Sequence, residues 1–145
     1  MNMPENSRET YKLSTIEIVS ANLNALNAGE VNTTLEYYAE GVKFEVIGIT
    51  PEQRITITSK TQLRILFEEF TTQHSRFEVD ILNAKGNYVT TKILIWSDLT
   101  RRLGVAPLVA TDQYLINNSK ITRIRRTIHP ESAAKLLSAL THIQE

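Results

Sequence analysis

The stretch Ala110–His129, ATDQYLINNSKITRIRRTIH, holds the two residues best suited to chemistry in this chain, Asp112 and Arg126. Each lies in a run that alternates with period two, so each sits on a strand, with the polar turn Asn117-Asn118-Ser119 between them. On the second arm Thr122, Ile124, Arg126 and Ile128 share one face, and Ile121, Arg123, Arg125, Thr127 and His129 share the other. The first face is the apolar one, so Arg126 points inward between two isoleucines. On the first arm Ala110, Asp112, Tyr114 and Ile116 oppose Val109, Thr111, Gln113 and Leu115, and pattern alone does not choose between these faces. A three-residue loop sets Asp112 opposite either Ile124 or Arg126, and either register brings the two charges together if Asp112 also faces in. A carboxyl group in an apolar interior is a candidate general acid or base, because burial raises its pKa. The competing reading is a structural ion pair with Arg126 or Lys92, which lowers it. The planar donor fork of arginine also suits an anionic or carbonyl-bearing ligand.

Other chemistries find less support. There is no cysteine, which excludes disulfides, thiolate catalysis and Cys-ligated metal. His74, His129 and His142 share no metal-ligand spacing, so no metal site is expected. The five glycines are scattered and form no phosphate-cradling loop. Sixteen basic residues balance sixteen acidic ones, which argues against a nucleic-acid partner. Arg101, Arg102, Arg123 and Arg125 form a local basic patch, read as a solvated face or a dimer contact.

The elements that position the hairpin follow from periodicity. Leu13, Ile16, Val19, Leu23 and Leu26 recur at helical spacing behind a Ser14-Thr15-Ile16-Glu17 capping box, a start near Ser7 being equally open, and Gly29 ends the helix. A short second helix runs over Val31–Glu40 and stops at Gly41. Val42–Val46 alternates as a strand, broken by Gly48 and Pro51, and Arg54–Thr58 is a second short one. Leu63, Leu66, Phe67 and Phe70 mark a third helix capped by Ser59 or Thr61. From Arg76 the period is two again, with strands either side of a Lys85-Gly86-Asn87 turn. A loop over Asp98–Pro107 precedes the hairpin, and Pro130 opens a last helix carrying Ala133, Leu136, Leu137 and Leu140. Segregated helices and strands predict an α+β fold, with helices on one curved sheet leaving a cone open at one end.

The 145 residues suit one domain, with residues 1–8 a polar tail. The N-terminus has no apolar core of a secretory signal, and no apolar run approaches membrane length. A cytoplasmic protein with no membrane partner is expected.

Three marks give a resemblance: Leu26-Asn27-Ala28-Gly29-Glu30 at the end of helix one, Tyr38-Ala39-Glu40 before the first strand, and Asp112-Gln113-Tyr114 on the hairpin. Over roughly Ile16–Leu140 the chain resembles the NTF2-like superfamily, in the branch of SnoaL-like polyketide cyclases and ketosteroid isomerases. The resemblance implies a cystatin-like cone: a curved antiparallel sheet around about three helices, plus a short C-terminal helix. It implies no cofactor, and a homodimer packed through the outer sheet face, with Val109, Leu115 and Ile121 outward.

Site residues transfer only position by position. A ketosteroid isomerase uses a tyrosine, a base aspartate and a protonated aspartic acid; here those positions hold Asn22, Val46 and Asp112. The two aspartates of limonene epoxide hydrolases are matched by Leu94 and Arg126 and their arginine by Lys92, so that triad is absent. The tyrosine and tryptophan of carotenoid-binding relatives fall on Asn22 and Asp112. Asp112 matches the acid/base aspartate of SnoaL-like cyclases, but their partner histidine has no equivalent in Asp98–Pro107. The resemblance turns Asp112 into the cone, with Arg126, Lys92, Leu94, Trp96, Phe44 and Val46 on the pocket wall beside Asn22 and Leu26. Trp96, Phe44, Tyr38 and Tyr114 are candidates to stack on a flat ligand, packing being the stronger reading for Tyr38. Two functions follow: an isomerase or cyclase acting on a small, largely apolar carbonyl compound through Asp112, or a non-catalytic ligand-binding or assembly domain.

Overall fold

The computed structural model describes residues 13–48 and 54–144, with the side chains of residues 143 and 144 left out. The polar tail, the alternative helix start near Ser7 and the break at Pro51 lie outside the described residues. The elements are α1 (Thr15–Asn27), α2 (Val31–Leu35), β1 (Tyr38–Ile47), β2 (Arg54–Ile57), α3 (Lys60–Thr72), β3 (Arg76–Lys85), β4 (Tyr88–Trp96), α4 (Asp98–Arg102), β5 (Leu108–Asn117), β6 (Lys120–Ile128) and α5 (Pro130–Gln144). Six strands form one curved, unclosed sheet in the order β2-β1-β6-β5-β4-β3. The sheet is mixed, not purely antiparallel: β1 runs parallel to β6, and every other pairing is antiparallel. No described helix is long and apolar enough to cross a membrane.

Local chemistry explains most boundaries. Ser14 Oγ accepts from the Glu17 amide at 3.1 Å while Glu17 Oε1 accepts from the Ser14 amide at 2.8 Å, the reciprocal cap expected for α1. Gly29 ends α1 at φ +76°, a conformation that costs other residues strain. The buried stripe of α1 is Ile18, Val19, Leu23 and Leu26, while Ile16 is partly exposed. Ser59 caps α3 through the Gln62 amide, and Leu63 and Phe67 are its most buried residues. The short second helix ends at Leu35, earlier than expected, because Tyr38 already pairs with Ile121 in the sheet. Gly41 therefore lies inside β1, where the register shifts between Tyr38 and Lys43. Part of the expected loop after β4 is helical: Ser97 caps α4 through the Thr100 amide.

The β5–β6 hairpin carries the decisive irregularity. Its turn is the pair Asn118-Ser119, with φ of 51° and 63°, so it is two residues long, not three. Asn117 pairs with Lys120 and Ile116 with Ile121, but Leu115 pairs with Arg123, so Thr122 is an extra residue on β6. Its hydroxyl donates to the Leu115 carbonyl at 3.1 Å and accepts from Asn117 Nδ2 at 3.2 Å. This bulge switches the parity of everything beyond it. Ile121, expected outside, is therefore fully buried, and Asp112 pairs directly with Arg126. Val109 and Leu115 do lie on the outer side, both half-buried.

Candidate functional site

The inner face of β5 carries Ala110, Asp112, Tyr114 and Ile116, and that of β6 carries Ile124, Arg126 and Ile128; all are buried. Arg126 donates from Nε to Asp112 Oδ1 at 2.9 Å and from Nη2 to Oδ2 at 2.8 Å. This is a two-pronged pair, the strongest geometry open to an arginine and a carboxylate. Asp112 is 0% exposed and Arg126 is 6% exposed. The guanidinium also lies 5.2 Å from the Phe44 ring centre and 5.8 Å from that of Phe77, within range of cation–π attraction. Burial alone would weaken the hold of Arg126 on its proton, but the charge and hydrogen bonds of Asp112 more than offset this and raise its pKa. Tyr114 Oη sits 3.4 Å from Asp112 Oδ2, and burial above all pushes this phenol well above its ordinary range. Thr91 pairs with Asp112 across β4–β5 and is wholly buried, and among the described residues its hydroxyl has no partner.

A second polar pair is also buried. Tyr38 Oη donates to Asn22 Oδ1 at 2.6 Å, and Asn22 Nδ2 donates to the Val19 carbonyl at 2.7 Å. Burial raises the Tyr38 pKa; Arg126 lowers it and Asp112 raises it by smaller amounts.

A cavity of about 360 Å³ opens onto this interior between β1, β2, α3 and the β4–β5 connection. Its wall is apolar, with Phe44, Val46, Leu66, Phe70, Ile95 and Ile128, and Arg126 lies at its floor. Asp112 does not line it, because the guanidinium stands in front of the carboxylate. Arg126 uses Nε and Nη2 on Asp112, which leaves Nη1 without a hydrogen-bond partner among the described residues. At Arg126 the cavity therefore presents a donor and not the Asp112 carboxylate. Glu69, Gln73, Ser75, Ser97 and Thr100 supply the polar part of its lining.

The expected pocket wall is corrected in several places. Arg126 and Phe44 line the cavity, as does Val46. Lys92, Leu94 and Trp96 lie on the opposite face of β4 from Thr91 and Ile93, which are wholly buried. Lys92 is exposed and borders an outer recess with Val109 and His129. The reason is steric and electrostatic: the Val89-Thr91-Ile93-Ile95 face carries no charge, whereas the other face would bury an unpaired lysine. Two of the three positions matched to the epoxide hydrolase triad are thus outside the cone. Asn22 and Tyr38 are inside it but satisfy each other and do not line the cavity.

One pair was not legible from sequence spacing. His74, at the end of α3 with φ 50°, brings Nδ1 to 2.7 Å from Asp98 Oδ2 on α4. The bond to His74 holds the Asp98 carboxyl below its ordinary range. His74 is largely exposed and Asp98 half-buried, and His74 borders a separate recess of about 410 Å³ that contains neither Asp112 nor Arg126. His74 follows the end of α3 and does not line the cavity that Arg126 borders. Among the described residues no cluster of metal-ligating side chains is found.

No protein-family model matches the sequence, and no curated protein matches it. Solved structures do. An NTF2-like protein of unknown function from Cytophaga hutchinsonii superposes with a TM-score of 0.66 at 16% identity, over 84% of this chain and 96% of that one. The fold is NTF2-like. The epoxide hydrolase/cyclase-like enzyme SalBIII, of pyran ring formation in the polyether salinomycin, matches this chain with a TM-score of 0.69 at 19% identity, over 81% and 92% of the two chains. A putative ketosteroid isomerase from Kribbella flavida matches with 0.62 at 16% identity, over 79% and 77%. At these identities the likeness establishes the NTF2-like cone, and the chemistry must come from this chain's own residues.

Proposed function

We propose that the chain is a pocket protein that binds a small, largely apolar, neutral molecule through a hydrogen bond donated by Arg126 Nη1 to a carbonyl oxygen of the ligand. The observation that carries this reading is the position of Arg126 at the floor of an apolar cavity, already neutralised by an Asp112 that the cavity does not reach. Charge decides the ligand class. A carboxylate entering beside the Asp112–Arg126 pair would leave an unbalanced negative charge in a low-dielectric space, with Glu69 nearby adding another. A ketone, lactone or ester keeps the site neutral and still uses the donor. The volume of about 360 Å³ is within the range of small-molecule sites.

The test is a titration with a panel of apolar ketones and their carboxylate counterparts, read by the arginine side-chain resonances in nitrogen-correlated NMR. Neutral members should shift the Arg126 resonances, and the paired replacement Asp112→Leu with Arg126→Met should weaken their affinity, followed by the heat of binding, by about tenfold or more, ~1.4 kcal/mol. Tighter binding of the carboxylates would sink the neutral-ligand reading.

A second reading is acid/base catalysis of isomerisation or cyclisation at Asp112. It is supported by the aspartate's place on the inner face beside a cation, and by neighbours that include cyclase-like, epoxide hydrolase and ketosteroid isomerase-like proteins. It requires Arg126 to swing aside. Exchange of α-hydrogens of an apolar ketone in heavy water, abolished by Asp112→Asn, would establish it over simple binding.

A further inference from the structure

The outer face of the sheet holds a group of side chains that the cavity does not use. Glu45 on β1 points away from the cone yet is only 1% exposed. Its carboxylate is ringed by cations: Arg123 Nη2 at 2.9 Å, Arg54 Nη1 at 3.4 Å, Arg125 Nε at 3.5 Å and Lys43 Nζ at 4.0 Å. Four positive charges thus share one negative charge among the described residues, in a chain whose formal net charge is zero. The contact with Arg125 has ion-pair distance but not hydrogen-bond geometry, and its Nε is buried without a hydrogen-bond partner among the described residues. The side chains of Arg123 and Arg125 remain 41% and 42% exposed, so their outer donors face solvent.

Geometry adds a second observation. A recess of about 220 Å³ lies against this cluster, lined by Arg123, Arg125, Gln113, Leu115 and Tyr88. Arg123 and Arg125 are two apart on β6, so they stand on one face about 6.6 Å from each other along the strand. That spacing suits a tetrahedral oxyanion bridging two guanidinium forks better than a planar carboxylate, which one fork already satisfies. Glu45 accepts hydrogen bonds from Nε and Nη2 of Arg123, which orients that guanidinium, and draws Arg125 by charge at 3.5 Å. The half-exposed Tyr88 ring and the Gln113 amide offer an apolar face and a polar contact for whatever the oxyanion carries.

We propose that the outer face of β5 and β6 is a second binding site, in which Arg123 and Arg125, braced by Glu45, take the phosphate group of a small phosphate ester whose body lies in the Tyr88–Gln113 recess. Arg54 and Lys43 extend the positive field toward β2 and raise the capture rate at low salt. This site is independent of the interior cavity.

The experiment titrates the folded chain with inorganic phosphate, phenyl phosphate and vesicles containing phosphatidic acid, following arginine Nε–H resonances and the heat of binding. Both soluble phosphates should shift Arg123 and Arg125 selectively, with phenyl phosphate the tighter. Arg125→Lys, which keeps the charge and removes the fork, should weaken phenyl phosphate by about tenfold. Glu45→Gln should tighten it if the variant stays folded. Should Glu45→Gln unfold the chain, Gln113→Leu reports on the recess instead, with loss of the preference for phenyl over inorganic phosphate expected. Equal, weak shifts at all arginines, binding to the vesicles alone, or light scattering that shows a second copy covering Arg123 and Arg125 would each overturn the proposal.

Discussion

Arg126 grips Asp112 with two hydrogen bonds of 2.9 and 2.8 Å, and both residues are buried within a largely apolar interior. The pair makes the buried Asp112 carboxylate a support for the Arg126 donor. It also sets the stakes of substitution at either position, because each partner keeps the other from being an isolated buried charge.

Replacing Arg126 alone by Met leaves Asp112 buried and unpaired. A loss of about 3–5 kcal/mol is expected, whereas the double replacement Asp112→Leu with Arg126→Met should lose far less. Urea unfolding of the two singles and the double closes the cycle. An additive double would mean that the two residues do not act as a unit.

Thr91 offers the opposite sign. Its hydroxyl is buried without a partner among the described residues, so Thr91→Val keeps the shape and removes a desolvated polar atom. A gain of about 1 kcal/mol is expected, seen as a higher thermal midpoint. A lower midpoint would reveal that the hydroxyl has a partner in solution.

Tyr38 and Asn22 form a closed polar pair, and removing the phenolic hydroxyl strands Asn22 Oδ1. Tyr38→Phe should cost about 1–2 kcal/mol in denaturant unfolding and leave ligand binding at Arg126 intact, because Tyr38 does not line the cavity. A change in affinity with unchanged stability would instead place Tyr38 at the ligand.

Alkaline pH should expose the same burial. Tyr38 and Tyr114 both have pKa values raised above the ordinary phenol, chiefly by burial. The folded state therefore holds protons that the unfolded state releases above about pH 10, and stability falls as pH rises from there. Of the five tyrosines, these two should ionise only with unfolding. Phenolate absorbance that grows in two steps, the second coincident with loss of circular dichroism, is the expected record.

Acid pH tests the outer cluster. The hydrogen bonds from Arg123, and the charges of Lys43, Arg123 and Arg125, hold Glu45 below the usual carboxylate range despite the opposing effect of burial. The folded state thus binds fewer protons there than the unfolded state. The stability from Glu45 is present above about pH 4.3 and is lost as pH falls through the lower folded value. Urea midpoints measured down this range should fall more steeply in the natural chain than in Glu45→Gln, and parallel slopes would contradict the assignment.

The amino-acid order alone determined the elements and the fold class. The Ser14–Glu17 cap, the Leu63–Phe70 stripe, the alternation of β3 to β6 and the helix after Pro130 are local patterns, and each formed within a few residues of its expected bounds. The inward direction of Arg126 was also legible, because its face is otherwise Ile124 and Ile128. What only the tertiary structure decided is relative register. A two-residue turn at Asn118-Ser119 would set Asp112 opposite Arg125 on its own; the extra Thr122 shifts the pairing by one and delivers Asp112 to Arg126 instead. No local pattern announces that bulge, since Thr122 fits an ordinary strand and is held there by Leu115 and Asn117 from the other arm. The same holds for β4, whose face became certain only when Thr91 and Ile93 paired with Asp112 and Ala110 and turned Lys92 and Trp96 outward. Side-chain period is a property of one strand, but which side meets the core is settled between strands, where a single residue reverses the answer.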